Sequence, residues 1–244
     1  MTGQGRMDYT YRSYEALLES IRACGRTICA FRDVRDAESF VVLRHDVDYS
    51  VVKAREMAER ERRCGVRSTY FLLLTSPYYN LLAGDNLRAA RDIVGMGHEV
   101  GLHYDTDVFS ELDDAGQARK VVELAHVLAE SVGTDVTSIA QHNPSETAVR
   151  LRVPAYVDAY SDRFFRDIAY VSDSRRLFGA PDPYEFFRAH PRSQLLIHPL
   201  WWHETEQSRS QSFAAIRDGI VRNVESRLSR MNASMEADEL RMRR

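Results

Sequence analysis

Short runs of apolar residues alternate with longer amphipathic segments along most of the chain. Continuous apolar runs of four to seven residues favour strands that are buried on both faces of a parallel sheet. They predict strands at 40–43, 68–74, 99–102, 136–140, 168–171 and 194–197. Apolar residues at helical spacing predict helices at 14–23, 52–63, 87–96 and 117–131. Each helix is followed by a glycine, a common C-terminal signal, and Ser13 is the expected N-cap of the first.

This alternation of strand and helix predicts βα units around a parallel sheet. The 244 residues suit one α/β domain, and no internal repeat or low-complexity linker divides them. We therefore predict a single domain over 1–244, with a core at about 36–205 and a helical C-terminal extension. The stretch 225–244 is rich in Arg, Glu and Met, which is typical of a solvated terminal helix or a frayed tail.

Charge and cysteine content indicate which partners and which cellular compartment to expect. The formal net charge is −3, and acids and bases are interspersed. A nucleic-acid partner is not expected, because the basic stripe that would mark one is missing. Three cysteines without a Cys-x-x-Cys spacing indicate free thiols in a reducing compartment. No apolar run approaches the ~20 residues of a membrane span, and the first residues lack a signal-peptide pattern. A cytoplasmic location is the resulting expectation.

Polar side chains with metal-binding or acid–base chemistry follow the predicted strands. They are Asp46, Asp48, His103, His142, Asp173 and His198. In α/β barrels, catalytic groups cluster at the C-terminal ends of the strands. We therefore expect these residues to converge on one rim of the fold.

The pair Asp46 and Asp48 is the clearest candidate for chemistry. In extended backbone, residues two apart project to the same side. Two close carboxylates repel each other, and a bound cation would hold one while the other stays free as a base. His103 is a candidate ligand, and Asp107 would lie one helical turn beyond it. The structural alternatives are a turn for the Asp pair and a hydrogen-bonded core histidine for His103.

Two further histidines have several possible roles. His142 precedes an Asn-Pro turn and could bind a metal, position a substrate or cap the turn. His198 comes before Trp201 and Trp202, so it could donate a proton in a pocket where Trp201 stacks on a sugar ring; alternatively, both tryptophans are core. The sequence lacks Gly-x-Ser-x-Gly, P-loop and His-Glu-x-x-His motifs, which disfavours serine-hydrolase, nucleotide-driven and zincin chemistry.

Three segments, 43–50, 97–103 and 195–199, resemble the polysaccharide deacetylase family, also called the NodB-homology or carbohydrate esterase 4 group. Their order and spacing match over about residues 40–200. The resemblance implies a distorted (β/α) barrel, a divalent metal that is usually Zn²⁺, and hydrolysis of an acyl group on a sugar. It also implies roles for single residues: Asp46 as general base, Asp48 and His103 as metal ligands, and His198 as general acid.

The chain departs from the family pattern at two places. Val47 separates the family's usual Asp-Asp pair, and Asp107 stands where a second metal histidine is expected, four residues after His103. The Arg-x-Pro-Tyr block is not clear; 141–144 and 152–156 are rival replacements. The third ligand is therefore either His142 or Asp107. We favour His142, because one carboxylate with two imidazoles suits zinc.

These observations predict a hydrolase of carbon–nitrogen bonds other than peptide bonds. It would remove an acetyl or formyl group from a small amino sugar or sugar conjugate. Two alternatives remain open: a barrel hydrolase that acts on a non-sugar amide without metal, and a non-catalytic binding protein with a deacetylase-like fold.

Overall fold

A computed structural model describes residues 7–35, 39–144, 151–178 and 182–242. The chain divides into two compact units, Met1–Gln207 and Ser208–Arg244. The strands of the first unit are β1 Thr27–Cys29, β2 Phe40–Val47, β3 Thr69–Leu73, β4 Glu99–Tyr104, β5 Ser138–Gln141, β6 Val157–Asp158, β7 Ala169–Ser172 and β8 Arg192–Ile197. Its α-helices are α1 Tyr11–Ala23, α2 Val51–Arg63, α3 Gly84–Gly95, α4 Asp114–Val132, α5 Asp162–Phe165 and α6 Pro183–Ala189. Short 3₁₀ helices lie at Phe31–Asp33, Thr106–Phe109, Ser174–Arg176 and Pro199–Trp201.

The strands form one parallel sheet in the order β6-β5-β4-β3-β2-β8-β7. β1 pairs with the first half of β2, and β3 pairs with its second half. Within the described ranges no pairing joins β6 to β7, so the curled sheet forms an open barrel. The predicted α/β fold with a parallel, distorted barrel is confirmed.

The central strands are buried along their whole length, as their continuous apolar runs predict. Every residue of β2, β3, β4 and β5 is buried. Two boundaries matter for the site. β2 continues to Val47 and β4 to Tyr104, so Asp46 and His103 lie within strands and not after them. The predicted ends were too early, because pairing with β3 and β5 continues across these polar residues.

Other differences from the predicted elements are local. The N-cap of α1 is Thr10 and not Ser13: the Thr10 hydroxyl accepts a hydrogen bond from the Ser13 backbone N–H at 3.2 Å. The elements β1, β6, α5 and α6 were not predicted. They are only two to seven residues long, too short for a clear hydrophobic period.

Gly101 allows three strands to approach closely next to the site. A Cβ atom at this position would lie 2.4 Å from Phe71 Cε1 on β3 and 2.7 Å from Ser138 Oγ on β5. Neither neighbour is the end of a flexible side chain. Glycine at 101 therefore sets the spacing of β3, β4 and β5 two residues before His103.

The second unit contains the helix α7, Arg209–Met242. It includes the described part of the stretch predicted to be a terminal helix or tail. The assignment of 1–244 to one catalytic domain stays a prediction, and residue 36, its predicted core boundary, lies outside the described residues. No helix in the described part of the chain is long and apolar enough to cross a membrane. All three cysteines are free thiols.

Candidate active site

Six polar residues gather at the carboxyl ends of five strands. Asp46 lies in β2, and Asp48 follows it directly; His103 lies near the end of β4. His142, Asp173 and His198 directly follow β5, β7 and β8, as the sequence predicts. Alternation along β2 sends Asp46 to one face of the sheet and the adjacent His45 to the other.

Asp48, His103 and His142 form a compact group of potential metal ligands. Asp48 Oδ1 lies 3.2 Å from His103 Nε2 and 3.3 Å from His142 Nδ1. The two ring nitrogens are 3.2 Å apart. Ligands of a tetrahedral zinc ion with bonds of about 2.1 Å stand about 3.4 Å apart. The three donor atoms therefore have the spacing of one face of a metal coordination sphere.

Neighbouring groups hold these donors in orientations that suit a cation. His103 Nδ1 lies 2.8 Å from the Ala140 carbonyl oxygen, so its N–H donates there and the lone pair of Nε2 points elsewhere. The backbone N–H of His142 donates to the Tyr104 carbonyl at 2.7 Å. The Ser76 hydroxyl donates to the Asp48 carbonyl at 2.7 Å. Each of the three candidate ligands is thus held in place by a hydrogen bond to a different part of the chain.

The electrostatics of Asp48 also fit a cation. Its Oδ1 is buried and makes no hydrogen bond of good geometry, although two imidazole nitrogens lie at ion-pair distance. Burial raises the pKa of Asp48, but His103 and His142 outweigh burial and hold that pKa below its usual range. Burial lowers the pKa of His142, but Asp48 raises it above its ordinary value. A proton and a metal ion would compete for this space, as metal sites require.

Asp46 has one oxygen held and one oxygen free of hydrogen bonds. Arg44 Nη2 donates to Asp46 Oδ2 at 2.8 Å, and both side chains are almost fully buried. Burial lowers the pKa of Arg44, but Asp46 raises it, and the net result lies above its ordinary value. Tyr160 and Gln194 accept further hydrogen bonds from the guanidinium at 2.7 Å and 3.2 Å. Asp46 Oδ2 lies 3.8 Å from His103 Nε2, so this carboxylate stands beside the ligand group.

His198 is held in place by the buried carboxylate of Asp173, which directly follows the adjacent strand β7. Its Nδ1 lies 2.6 Å from Asp173 Oδ1, and its backbone N–H donates to the same carboxylate at 3.0 Å. Trp202 Nε1 donates to Asp173 Oδ2 at 2.9 Å. This arrangement holds Nδ1 and leaves Nε2 for a substrate. Burial lowers the pKa of His198, but Asp173 raises it, to a net value of about 9.

The two tryptophans differ. Trp202 is fully buried and contacts the rings of Tyr9 and Tyr14, so it belongs to the core. Trp201, the predicted substrate-binding residue, lies in the 3₁₀ helix after His198 and is 6% exposed. A substrate role for Trp201 stays a prediction.

The rival third ligand stands outside the group. Asp107 is an exposed residue of the 3₁₀ helix Thr106–Phe109, and its backbone N–H donates to Asp105 Oδ1. Arg152, from the rival block 152–156, is also exposed. Sequence reasoning missed the supporting roles of Arg44 and Asp173. A signal existed for Asp173, because it directly follows a strand, as Asp48 and His142 do.

A second polar cluster lies on the opposite face of β2. Glu61 of α2 is fully buried, and its Oε1 lies 2.6 Å from His45 Nε2. Its Oε2 accepts hydrogen bonds from Ser68 Oγ at 2.6 Å and from the Tyr70 hydroxyl at 2.8 Å. The Tyr14 hydroxyl also donates to Glu61 Oε1. With no solvent access, this cluster is structural support behind the site.

The fold and the site thus define an α/β protein with a candidate metal centre, with Asp46 beside it and His198 at the same end of the sheet. No protein-family model and no curated protein sequence matches the chain. Solved structures are similar in fold. One is a family 4 carbohydrate esterase pseudoenzyme from Bacillus anthracis, with 17% identity, a TM-score of 0.46 and coverage of 79% of this chain and 63% of that chain. This chain therefore spans less than two thirds of that protein.

Two further similar structures are enzymes by name. The family 4 carbohydrate esterase from Streptomyces lividans, solved in complex with acetate, has 18% identity and a TM-score of 0.46, covering 78% of this chain and 89% of that chain. The chitin deacetylase from Colletotrichum lindemuthianum has 18% identity and a TM-score of 0.46, covering 75% of this chain and 83% of that chain. At these identities the likeness concerns the fold and assigns no activity.

Proposed function

We propose that this protein is a metal-dependent hydrolase that removes an N-acyl group from an amino sugar or sugar conjugate. One observation carries the proposal. The donor group of Asp48, His103 and His142 lies next to a free carboxylate, Asp46, on the rim that also holds His198. A metal site with a base beside it and an acid on the same rim is the arrangement that amide hydrolysis requires.

The ligand chemistry supports a divalent ion, and the surrounding groups favour hydrolysis over redox chemistry. Donor separations of 3.2–3.3 Å lie between about 3.4 Å for tetrahedral zinc and about 3.0 Å for octahedral sites. Two histidines and one carboxylate also bind iron in oxygenases. Asp46, held by Arg44, and His198, held by Asp173, are however groups that can exchange protons with a substrate. We therefore propose Zn²⁺.

A divalent ion at these ligands would polarise the acyl carbonyl and acidify a water. The chain's own groups perform the proton transfers. Asp46 accepts the proton of the attacking water through the oxygen that Arg44 leaves free. Arg44 holds the other oxygen of Asp46 in place through a hydrogen bond. His198 donates a proton from Nε2 to the leaving amine, and Asp173 keeps that imidazole protonated at neutral pH.

The substrate class and location follow from the motifs and the thiols. The three motif segments that resemble polysaccharide deacetylases support a sugar as the group that carries the amide. Free thiols at Cys24, Cys29 and Cys64 suit a reducing compartment. A cytoplasmic enzyme would act on a small amino sugar or conjugate, with Trp201 beside the sugar ring.

Metal binding is the first test. The purified protein, stripped and reloaded, should hold one zinc ion by elemental analysis. Asp48→Ala and His103→Ala should each weaken zinc affinity by about 100-fold or more, since each removes one of three ligands. Asp107→Ala is the matched control and should bind zinc like the wild type. Normal zinc binding by both ligand variants would refute the site.

Activity is the second test. Zinc-loaded protein should release acetate or formate from at least one member of a panel of N-acylated amino sugars. Asp46→Asn should keep its zinc while its kcat falls by about 10²–10⁴-fold, because it loses the general base. Metal binding without release from any sugar in the panel would contradict the proposed reaction and leave a binding protein. Activity that survives metal removal would point to the metal-free amide hydrolase.

A further inference from the structure

A glutamine on β8 is buried although the proposed reaction gives it no role. Gln194 is fully buried, and the two residues that follow it on the strand are buried leucines. Its Nε2 donates to the Ala159 carbonyl oxygen at 3.1 Å and to the Phe164 carbonyl oxygen at 2.6 Å, and its Oε1 accepts from Arg44 Nη1 at 3.2 Å. Burying an amide is costly unless such bonds replace those that it makes to water. These three hydrogen bonds are therefore what allows a glutamine at this position.

The backbone partners of Gln194 decide which way its amide points. The carbonyl oxygens of Ala159 and Phe164 can only accept hydrogen bonds, so they face the amide NH₂ group. The amide oxygen is then left facing Arg44, which can only donate. A reversed amide would set donor against donor at Arg44 and oxygen against oxygen at the two carbonyls, in a fully buried space. Gln194 therefore presents an acceptor to Arg44 in one fixed orientation.

The guanidinium of Arg44 is held at its outer end by two acceptors besides Asp46. Nη1 donates to Gln194, and Nη2 donates to the Tyr160 hydroxyl at 2.7 Å and to Asp46 Oδ2 at 2.8 Å. The Tyr160 ring also lies against the guanidinium, with 4.5 Å between Arg44 Cζ and the ring centroid. Arg44 Nε has no hydrogen-bond partner among the described residues. Since the five N–H groups form one rigid planar fork, Gln194 and Tyr160 set the direction of the hydrogen that reaches Asp46.

The hydrogen bond between Arg44 and Asp46 is single, although arginine and carboxylate side chains often pair through two parallel hydrogen bonds. In the two-bond arrangement, Arg44 would occupy both oxygens of Asp46. Gln194 takes Nη1 instead, so only Oδ2 is held. Asp46 Oδ1 has no hydrogen-bond partner in the described part of the chain. The oxygen that the proposed reaction needs as a proton acceptor is thus the one that is left free.

We infer that Gln194 is a positioning residue for the general base: by taking Arg44 Nη1, it keeps Asp46 Oδ1 open for the attacking water. The inference rests on the proposed role of Asp46 in the reaction. Without an acceptor at position 194, Arg44 Nη1 would be buried without a partner, which costs free energy. Turning the guanidinium so that it bonds both carboxylate oxygens removes that cost. Asp46 would then have both oxygens engaged by Arg44 and would be a weaker base.

The first measurement is the steady-state kinetics of the zinc-loaded full-length protein with Gln194→Met, which has a similar shape and no strong acceptor. Its kcat should fall by about 10- to 100-fold, because the general base is hindered. KM and zinc affinity should stay unchanged, since the hydrogen bonds of Gln194 go to Arg44 and to the backbone. Gln117→Met is the matched control: Gln117 is a buried glutamine of α4 whose Nε2 donates to the Leu112 carbonyl oxygen. It should lose stability and keep its kcat.

A double-mutant cycle with Asp46→Asn separates positioning from support of the fold. If Gln194 acts through Asp46, the protein with Asp46→Asn and Gln194→Met should have the kcat of Asp46→Asn alone, within about twofold. A general loss of structure would add the two losses instead. Gln194→Glu provides a second contrast, and it also serves if Gln194→Met fails to fold. It keeps an oxygen for Arg44 but sets a carboxylate against two carbonyl oxygens, so it should melt at a lower temperature and yet keep a kcat near that of the wild type.

Crystal structures of the wild type and of Gln194→Met test the geometry without an activity assay. The variant should show Arg44 bonded to both oxygens of Asp46. The inference would be overturned by an Arg44 that keeps its single bond, by a kcat that Gln194→Met leaves unchanged, or by additive losses in the double variant. No release of acid from any N-acylated sugar would refute the proposed function instead, and the crystal structures would still decide whether Gln194 sets the pairing of Arg44 with Asp46.

Discussion

Replacing Asp173 by Asn should move the alkaline limit of activity to lower pH. Asp173 accepts a hydrogen bond from the His198 ring at 2.6 Å and is the main group that raises the pKa of His198. If His198 is the general acid, only its protonated form supports the reaction. Activity should therefore fall as pH rises through the pKa of His198, about tenfold for each further unit.

The structure gives the size of this shift. The pKa of His198 is about 9 in the folded protein, against an ordinary value of 6.5. Burial lowers this pKa, Asp173 is the main group that raises it, and Asp48 and Asp46 raise it less, so replacing Asp173 should bring it down toward its ordinary value. At pH 8, roughly 90% of the wild-type imidazole is protonated, against roughly 3% at a pKa of 6.5. The variant should thus be up to about 30-fold less active at pH 8, and far closer to wild type at pH 5.5.

The assay is a pH profile of kcat/KM for acetate release, together with NMR titration of the His198 ring. Asn fits the space of Asp, but its amide NH₂ group would face either the Trp202 indole N–H or the His198 ring. That N–H donor would then have no acceptor, so some loss of stability is expected. Trp202→Phe is the control for that loss: it removes the indole donor to Asp173 and keeps the His198 contact. It should lower the melting temperature without moving the alkaline limb. A limb unchanged in Asp173→Asn would refute the role of His198 as the acid.

Three further predictions concern stability and are measured by urea denaturation. Gly101→Ala should cost about 1–3 kcal/mol, because the new Cβ would collide with Phe71; Gly95→Ala, with open space around it, should not. Tyr70→Phe should cost about 1.5–3 kcal/mol by removing a hydrogen bond to buried Glu61, whereas loss of the half-exposed Tyr78 hydroxyl should change little. Burial raises the pKa of Glu61, but His45 lowers it, to about 2 from 4.5. This stabilisation is present above pH 4.5 and is lost as pH falls through 2, so Glu61→Gln should flatten the stability–pH curve there; an unchanged curve would contradict the reasoning.

Periodicity predicted the sheet well because the buried strands carry no competing signal. The runs at 40–43, 99–102 and 194–197 have few polar interruptions, so strand and position were clear from the residues. The ends of these strands, however, were not clear from the residues. Asp46 and His103 read as residues after a strand, because nothing local shows that β3 and β5 continue to pair beside them. Strand ends at an active site depend on neighbours, which the local pattern does not contain.

The candidate site, too, could be predicted from the sequence only in part. Spacing along the chain pointed to Asp48 and His103, but only three-dimensional distances show that His142, and not Asp107, lies beside them. Asp107 lies four residues from His103, and a helix there would have brought the two together. A 3₁₀ helix after β4 leaves Asp107 exposed instead. The role of Arg44, within the segment 43–50, could not be predicted, because its pairing with Tyr160 and Gln194 joins parts of the chain more than 100 residues apart.

The two polar systems on either face of β2 have a consequence for how this strand tolerates change. His45 and Asp46 are adjacent, yet each meets a different set of partners on opposite sides of the sheet. A slip of one residue would exchange them. Asp46 would then face Glu61 in a fully buried space, two carboxylates without solvent, and Arg44 would lose its acceptor. Mispaired forms of β2 therefore carry an electrostatic penalty in addition to lost packing, and single-residue insertions or deletions between Leu43 and Asp48 should be rejected at the folding step, before catalysis is affected.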